Sequence, residues 1–190
     1  METFITQHLK ETAAAIDAAR EDTVLMRNVS AAATLISKCF AKGGKLLIAG
    51  NGGSAADAEH FATEFVGRFM KERRARPAIA LTSSPTITAW SNDHKFEDVF
   101  ARQLEAFAKP EDIFFGISTS GTSKNIVRAV EKAKTLGITS VCLLGNSGGL
   151  LAGCANITIA LTDTRTTHIQ EVQIALIHAI CGEVEDTFSD

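Results

Sequence analysis

The first 42 residues contain neither proline nor glycine, and the whole 190-residue chain holds only three prolines. Nothing in that opening stretch interrupts helix, and no proline-rich linker or low-complexity tract divides the chain. No apolar run approaches the roughly 20 residues that a membrane-spanning helix needs. Glu2, Thr3 and Gln7 come too early for the apolar segment of a signal peptide. The four cysteines, Cys39, Cys142, Cys154 and Cys181, show no CxxC or zinc-finger spacing. Three of them, Cys39, Cys142 and Cys181, stand in apolar surroundings, which predicts reduced core thiols and not a disulfide framework. Together these absences predict a cytoplasmic protein that does not enter the membrane. Basic runs are also missing, and the net charge is −3. The densest basic stretch, Lys71-Glu72-Arg73-Arg74-Ala75-Arg76, reads as a solvated loop after a helix, so nucleic acid is not an expected partner.

Hydrophobic residues make up 45% and charged residues 22%, the balance of a globular chain with one sizeable core. One domain over residues 1–190 is expected. Phe4, Leu9, Ala13 and Ile16, then Val24, Val29, Ala33, Ile36 and Phe40, recur at helical spacing. They predict two helices within residues 1–42, with a break near Asp22 and Thr23. Much of their surface is alanine and aliphatic, and it needs something to pack on. A second copy of the chain and an intramolecular docking face both remain open.

From residue 43 the pattern changes. Short continuous apolar runs at 45–49, 77–82, 112–118, 140–144 and 156–161 have the character of strands buried on both faces. Helical segments at about 54–69, 96–107, 123–136 and 166–188 separate most of them. This alternation predicts an α/β core over 43–190 with a five-stranded parallel sheet covered on both sides.

Two loops follow strands and open helices. Gly116-Ile117-Ser118-Thr119-Ser120-Gly121-Thr122-Ser123 offers hydroxyls at Ser118, Thr119, Ser120 and Ser123. Gly121 permits close backbone approach, and the following helix N-terminus adds unpaired N–H groups and partial positive charge. Such a loop suits a phosphate; the plainer reading is a serine-rich turn with Ser123 as N-cap. Gly50-Asn51-Gly52-Gly53-Ser54 is the second loop. It lacks the lysine of a Walker A loop and has no GxGxxG pattern, so it does not point to a nucleotide. A ligand role and a tight turn capped by Ser54 stay open.

His60 and Glu64 stand at i and i+4 on one helix face. That spacing serves two ligands of one metal, a base with its orienting partner, or a surface pair. In the last helix, His178 lies within the apolar run 174–180, where a satisfied core histidine is the ordinary explanation. Gln170 is eight residues earlier, about 12 Å along the axis. The two reach one ion only if their side chains converge; otherwise one comes from another subunit.

As a set, the motifs Gly50-Asn51-Gly52-Gly53-Ser54, Asp57 with His60 and Glu64, Gly67-Arg68-Phe69, Asn92-Asp93, the 118–123 loop, and Ile169-Gln170-Glu171 with His178 are specific. They resemble the sugar isomerase (SIS) domain family and, within it, the bacterial phosphoheptose isomerases, which act on sedoheptulose 7-phosphate. The resemblance covers nearly the whole chain. It implies a flavodoxin-like three-layer α/β sandwich preceded by two oligomerisation helices, and a homotetramer with sites at subunit interfaces. It implies one zinc ion per subunit, held by His60, Glu64, Gln170 and His178. Substrate contacts carry over to Asn51, Gly52, Gly53, Glu64, Asn92, Asp93, Ser118, Thr119, Ser120, Ser123 and Gln170. Two stretches depart from many relatives. Thr166-Thr167-His168 stands where an Asp-Arg or Pro-Arg pair is frequent, and Ser91 precedes Asn92-Asp93 where glycine is frequent.

The implied reaction converts sedoheptulose 7-phosphate to D-glycero-D-manno-heptose 7-phosphate through an enediol. It needs a base at carbon, an acid near oxygen and a group that steadies developing oxyanion charge. Glu64 is the expected base and His178 its acid–base partner. Two other functions stay open. One is a non-catalytic SIS protein that binds a replication-initiator partner; that branch lacks acidic and histidine members of the catalytic set, whereas Glu64 and His178 are present here. The other is an isomerase for a pentose or hexose phosphate.

Overall fold

Each of the five short apolar runs forms a strand in the computed structural model, which describes residues 3–188. The ends of the expected domain, Met1, Glu2, Ser189 and Asp190, lie outside the described residues. The strands are β1 (Leu46–Ala49), β2 (Ala78–Ala80), β3 (Ile113–Ser118), β4 (Thr139–Leu144) and β5 (Ile157–Ala160). All pair in parallel, in the order β2-β1-β3-β4-β5. This is the doubly wound order of a flavodoxin-like sheet.

Residue alternation sorts the strand side chains into two cores. Leu46, Ile48, Phe115, Ile117, Val141, Leu143 and Ile159 face one layer of helices. That layer holds α1 (Phe4–Glu21), α2 (Thr23–Ala41), α3 (Gly53–Val66) and α7 (Thr166–Thr187). Leu47, Ala49, Phe114, Cys142 and Leu144 face the other way, onto α5 (Val99–Phe107) and α6 (Lys124–Leu136). Each central strand is therefore apolar along most of its length because both of its faces are covered. The result is a three-layer α/β sandwich with the two N-terminal helices on one side.

The α1–α2 break is made by Asp22, whose backbone is extended and whose carboxylate accepts from the N–H groups of Val24 and Leu25 at 2.9 Å. Beyond it, α2 buries Leu25, Val29, Ala33, Ile36 and Phe40, and intramolecular packing accounts for its apolar stripe. In α1 only Ala19 is buried, and Phe4, Ile5, Leu9 and Ile16 face outwards.

Some expectations shift. The helix expected over 54–69 stops at Val66, where Gly67 leaves helical geometry. A further helix, α4 (Ser84–Asp93), has no buried residue, so no apolar stripe marked it. The chain also makes 3₁₀ segments at Phe96–Asp98 and Asn146–Leu151. The basic stretch after α3 is not simply solvated: Arg73 is buried against Glu185 of α7, 3.0 Å away. Cys39, Cys142 and Cys181 are buried free thiols and Cys154 is exposed. Among the described residues, no helix is long and apolar enough to cross a membrane.

Candidate active site

Strands β1 and β3 are neighbours, and the strand order reverses beside them, with β2 outside one and β4 outside the other. The loops that leave their carboxyl ends therefore open at one place, the crevice where parallel sheets of this kind take ligands. The two loops are also tied directly. Asn51 and Asn125 exchange side-chain amide hydrogen bonds of 2.9 and 2.8 Å. Asn125 is buried in the first turn of α6, so this double bond locks the β1–α3 loop to the head of α6.

In the loop after β3, the hydroxyls turn towards one another. Ser118 Oγ lies 3.0 Å from Ser123 Oγ and 3.4 Å from Ser120 Oγ. Gly121 N–H donates to Ser118 Oγ and Thr122 N–H to Ser120 Oγ, both at 3.2 Å. Ser123 occupies the N-cap position of α6, yet its side chain caps nothing and stays in the hydroxyl cluster. Gly121 has φ of +65°, and a Cβ there would collide with the carbonyl of Gly148. The loop is thus seated on the 3₁₀ segment, and only glycine fits at that contact. Ser54, the alternative cap of the other loop, is buried inside α3; the N-cap position belongs to Gly52.

Helices α3 and α7 lie side by side. At the head of the pair, Gly53 meets the side-chain amide of Gln170; a Cβ at Gly53 would strike Gln170 Nε2. Two turns further along, His60 Nε2 is 2.9 Å from His178 Nε2 and 3.1 Å from Glu64 Oε1. One donor atom each from His60, Glu64 and His178 falls within 4.8 Å of the others. Two nitrogens and a carboxylate oxygen so placed are a donor set that zinc accepts. Gln170 belongs to the same helix pair but sits with Gly53, two turns of α7 from that cluster. Asn92 and Asp93 end α4, exposed, where Asn92 Nδ2 donates to Asp93 Oδ1 at 2.8 Å. Among the described residues, no hydrogen bond joins them to either loop or to the His60 cluster.

The cluster is open on one side. His60 keeps 46% of its side chain exposed and Glu64 19%. His178 is half-buried and stacks on Phe69 at 5.7 Å. One turn before His60, Asp57 has a buried, unpartnered Oδ2, and burial pushes its carboxyl pKa up while the nearby His60 pulls it down. Arg73 holds the far end of α3, donating to the carbonyls of Glu64 and Phe65 at 2.6 and 3.0 Å while its Nε is fixed by Glu185. Neither Arg73 nor Asn125 stood out in the sequence. Asn125 carried a weak signal, an amide in the first turn of a helix that opens on a serine loop. Arg73 carried none, because its partner is 112 residues away.

Residues 7–145 match the SIS domain family model. A phosphoheptose isomerase of Crocosphaera subtropica is 53% identical over 152 residues, 80% of this chain and 78% of the relative. One from Synechocystis is 44% identical over 186 residues, covering 97% and 93% of the two chains. The solved structure of a phosphoheptose isomerase from Neisseria gonorrhoeae superposes with a TM-score of 0.90 at 36% identity, covering 96% of this chain and 97% of that one. The chain belongs to the SIS domain family, as a sugar-phosphate isomerase of the phosphoheptose isomerase group.

Proposed function

We propose that this isomerase converts sedoheptulose 7-phosphate to D-glycero-D-manno-heptose 7-phosphate, with the α3–α7 cluster at the reacting end and the hydroxyl loop at the phosphate. The observation that carries this reading is the convergence of His60 and Glu64 on α3, the helix that the β1 loop opens, with His178 on α7. The printed activity of the similar proteins supports the heptose.

Ser118, Thr119, Ser120 and Ser123 would donate hydroxyls to the phosphate, with the N-terminus of α6 behind them. Asn51, Gly52, Gly53 and Gln170 are proposed to contact the sugar between that loop and the cluster, and Asn92 and Asp93 from α4. Holding the distal phosphate orients C1 and C2 against the reacting groups. Glu64 takes the proton from C1 of the ketose and returns it to C2. His178 moves the second proton between the two oxygens, which makes and unmakes the enediol. His60, Glu64 and His178 would hold one zinc ion per subunit, and Gln170 would join them once its side chain leaves Gly53 and reaches along α7 towards the ion. That ion supplies Lewis acidity towards the sugar oxygens when bound.

The whole chain is proposed to act as one domain in the cytoplasm, with 1–42 serving assembly and 43–190 binding the sugar. Its four free cysteines support a reducing compartment. The exposed side of the cluster and the apolar outer face of α1 support a homotetramer whose sites lie at subunit interfaces. Incubating the purified protein with sedoheptulose 7-phosphate, with and without chelator, and following the aldose by NMR tests the reading. No aldose signal in the metal-replete sample would refute it.

A further inference from the structure

His168 is only 1% exposed, yet neither of its ring nitrogens has a hydrogen-bond partner. Nδ1 stands 3.6 Å from Asp163 Oδ2 and Nε2 stands 3.8 Å from Glu11 Oε2, both too long for hydrogen bonds. A buried imidazole in this state has given up its water and received nothing comparable. Its neighbours are themselves metal-binding groups. His8 of α1 brings its ring centroid to 5.0 Å from that of His168, and His8 Nε2 is 3.0 Å from Glu171 Oε1. His168 and Glu171 are three residues apart on α7 and share a face. One donor atom from each of His8, His168 and Glu171 lies within 4.8 Å of the others. This face of α7 looks onto α1, whereas Gln170 looks onto Gly53 of α3. The group is separate from the His60 cluster.

We propose that His8, His168 and Glu171 form a second divalent-cation site, of the zinc class, which clamps α1 onto α7. Two imidazoles and one carboxylate make a three-ligand zinc site with a position left for water. Donor atoms around tetrahedral zinc stand about 3.3–3.5 Å apart, given its bond lengths, so closure from within 4.8 Å asks for a contraction of up to about 1.5 Å. His8 and Glu171 have room for it, with 26% and 38% of their side chains exposed. One outer contact is already in place. Thr12 Oγ1 donates to Glu171 Oε2 at 2.5 Å and leaves Oε1 for the ion. Asp163 and Glu11 stand 3.6 and 3.8 Å from the two His168 nitrogens, so a shift of a few tenths of an ångström would give the nitrogen that does not bind the ion an acceptor. The clamp joins the N-terminal half of α1, which has almost no buried apolar surface of its own, to a helix in the core.

The full-length protein, stripped with chelator and dialysed against Zn²⁺, should take up one more ion per chain than His8→Ala does. Glu171→Gln, which conserves shape, should lose the same ion. Added Zn²⁺ should raise the Tm of the wild type more than that of either variant. His168→Gln is the less useful probe, since a buried substitution can fail to fold. Removing the His60 cluster with His60→Ala should leave the His8-dependent ion bound, so the two sites are scored independently. Equal zinc content in the wild type, His8→Ala and Glu171→Gln would overturn the proposal, as would loss of all bound zinc in His60→Ala.

Discussion

His60 and His178 face each other through their Nε2 atoms at 2.9 Å, across 118 residues of sequence. A neutral imidazole presents one donor and one acceptor nitrogen, so this pair either shares a proton or shares an ion. Glu64, 3.1 Å from His60, supplies the anionic partner that favours a cation there. His60→Ala should therefore lose the cluster's metal and nearly all turnover. It should keep its circular dichroism, with a Tm like that of the metal-free wild type, because the side chain is half exposed. Metal analysis beside the rate decides the point.

Glu64→Gln keeps the shape of the side chain and removes its basicity. Loss of a positioned general base costs about 10²–10⁴-fold in rate, so kcat should fall by that order with KM little changed. A fall in KM-governed affinity with kcat intact would assign Glu64 to binding instead.

Ser120 is the exposed member of the hydroxyl cluster, positioned by Thr122 and Ser118. Ser120→Ala should weaken sugar-phosphate binding by about 1–2 kcal/mol, the order of one hydrogen bond to a charged group, and leave Tm unchanged. Steady-state kinetics give the comparison. Unchanged constants would move the phosphate to a different loop.

The parts of this molecule that sequence exposes are the ones governed by local spacing. Five apolar runs bounded by turns became five strands because a parallel sheet buried on both faces needs unbroken apolar segments. The α2 stripe and the i, i+4 relation of His60 and Glu64 are likewise properties of one helix. The meeting of His60 with His178 is not, since it depends on α3 and α7 lying against each other in the same layer. Arg73 sits in a charged run that looks solvated, and it is buried between the distant Glu185 and the carbonyls of Glu64 and Phe65. Helix α4 left no periodic trace because none of its residues is fully buried and only Ile87 and Trp90 pack against the core.

Glu185 is a buried carboxylate that stabilises the fold in a pH-dependent way. Burial pushes its pKa up, but N–H groups of Met70, Lys71 and Phe69 and the Arg73 guanidinium outweigh that and hold it below the ordinary 4.5. Its contribution is complete above the pKa of the unfolded chain and is lost as pH falls through the lower folded value. The wild type should therefore lose more Tm than Glu185→Gln does as the pH drops below about 4.5. Arg73→Ala removes one partner of a buried pair and should cost about 3–5 kcal/mol at neutral pH. Thermal melts across pH test both. Parallel acid limbs for wild type and Glu185→Gln would show that the carboxylate adds nothing.

Assembly is the remaining consequence of the N-terminal helices. In the single chain Phe4, Ile5 and Leu9 are 83%, 70% and 62% exposed, and Val24 of α2 adds another 55% exposed apolar side chain. Burying each such side chain is worth about 1.5–3 kcal/mol, so a shared α1 face supplies a strong drive to associate. A closed symmetric oligomer covers that face without leaving a fresh one exposed. Light scattering at micromolar concentration should give four times the 20.2 kDa chain mass. Leu9→Glu places a charge in the middle of the face and should yield a smaller species with the fold of each chain intact. That species should also lose turnover if the open side of the His60 cluster is completed across the interface. A wild type that scatters as a monomer would remove both the tetramer and the interfacial site together.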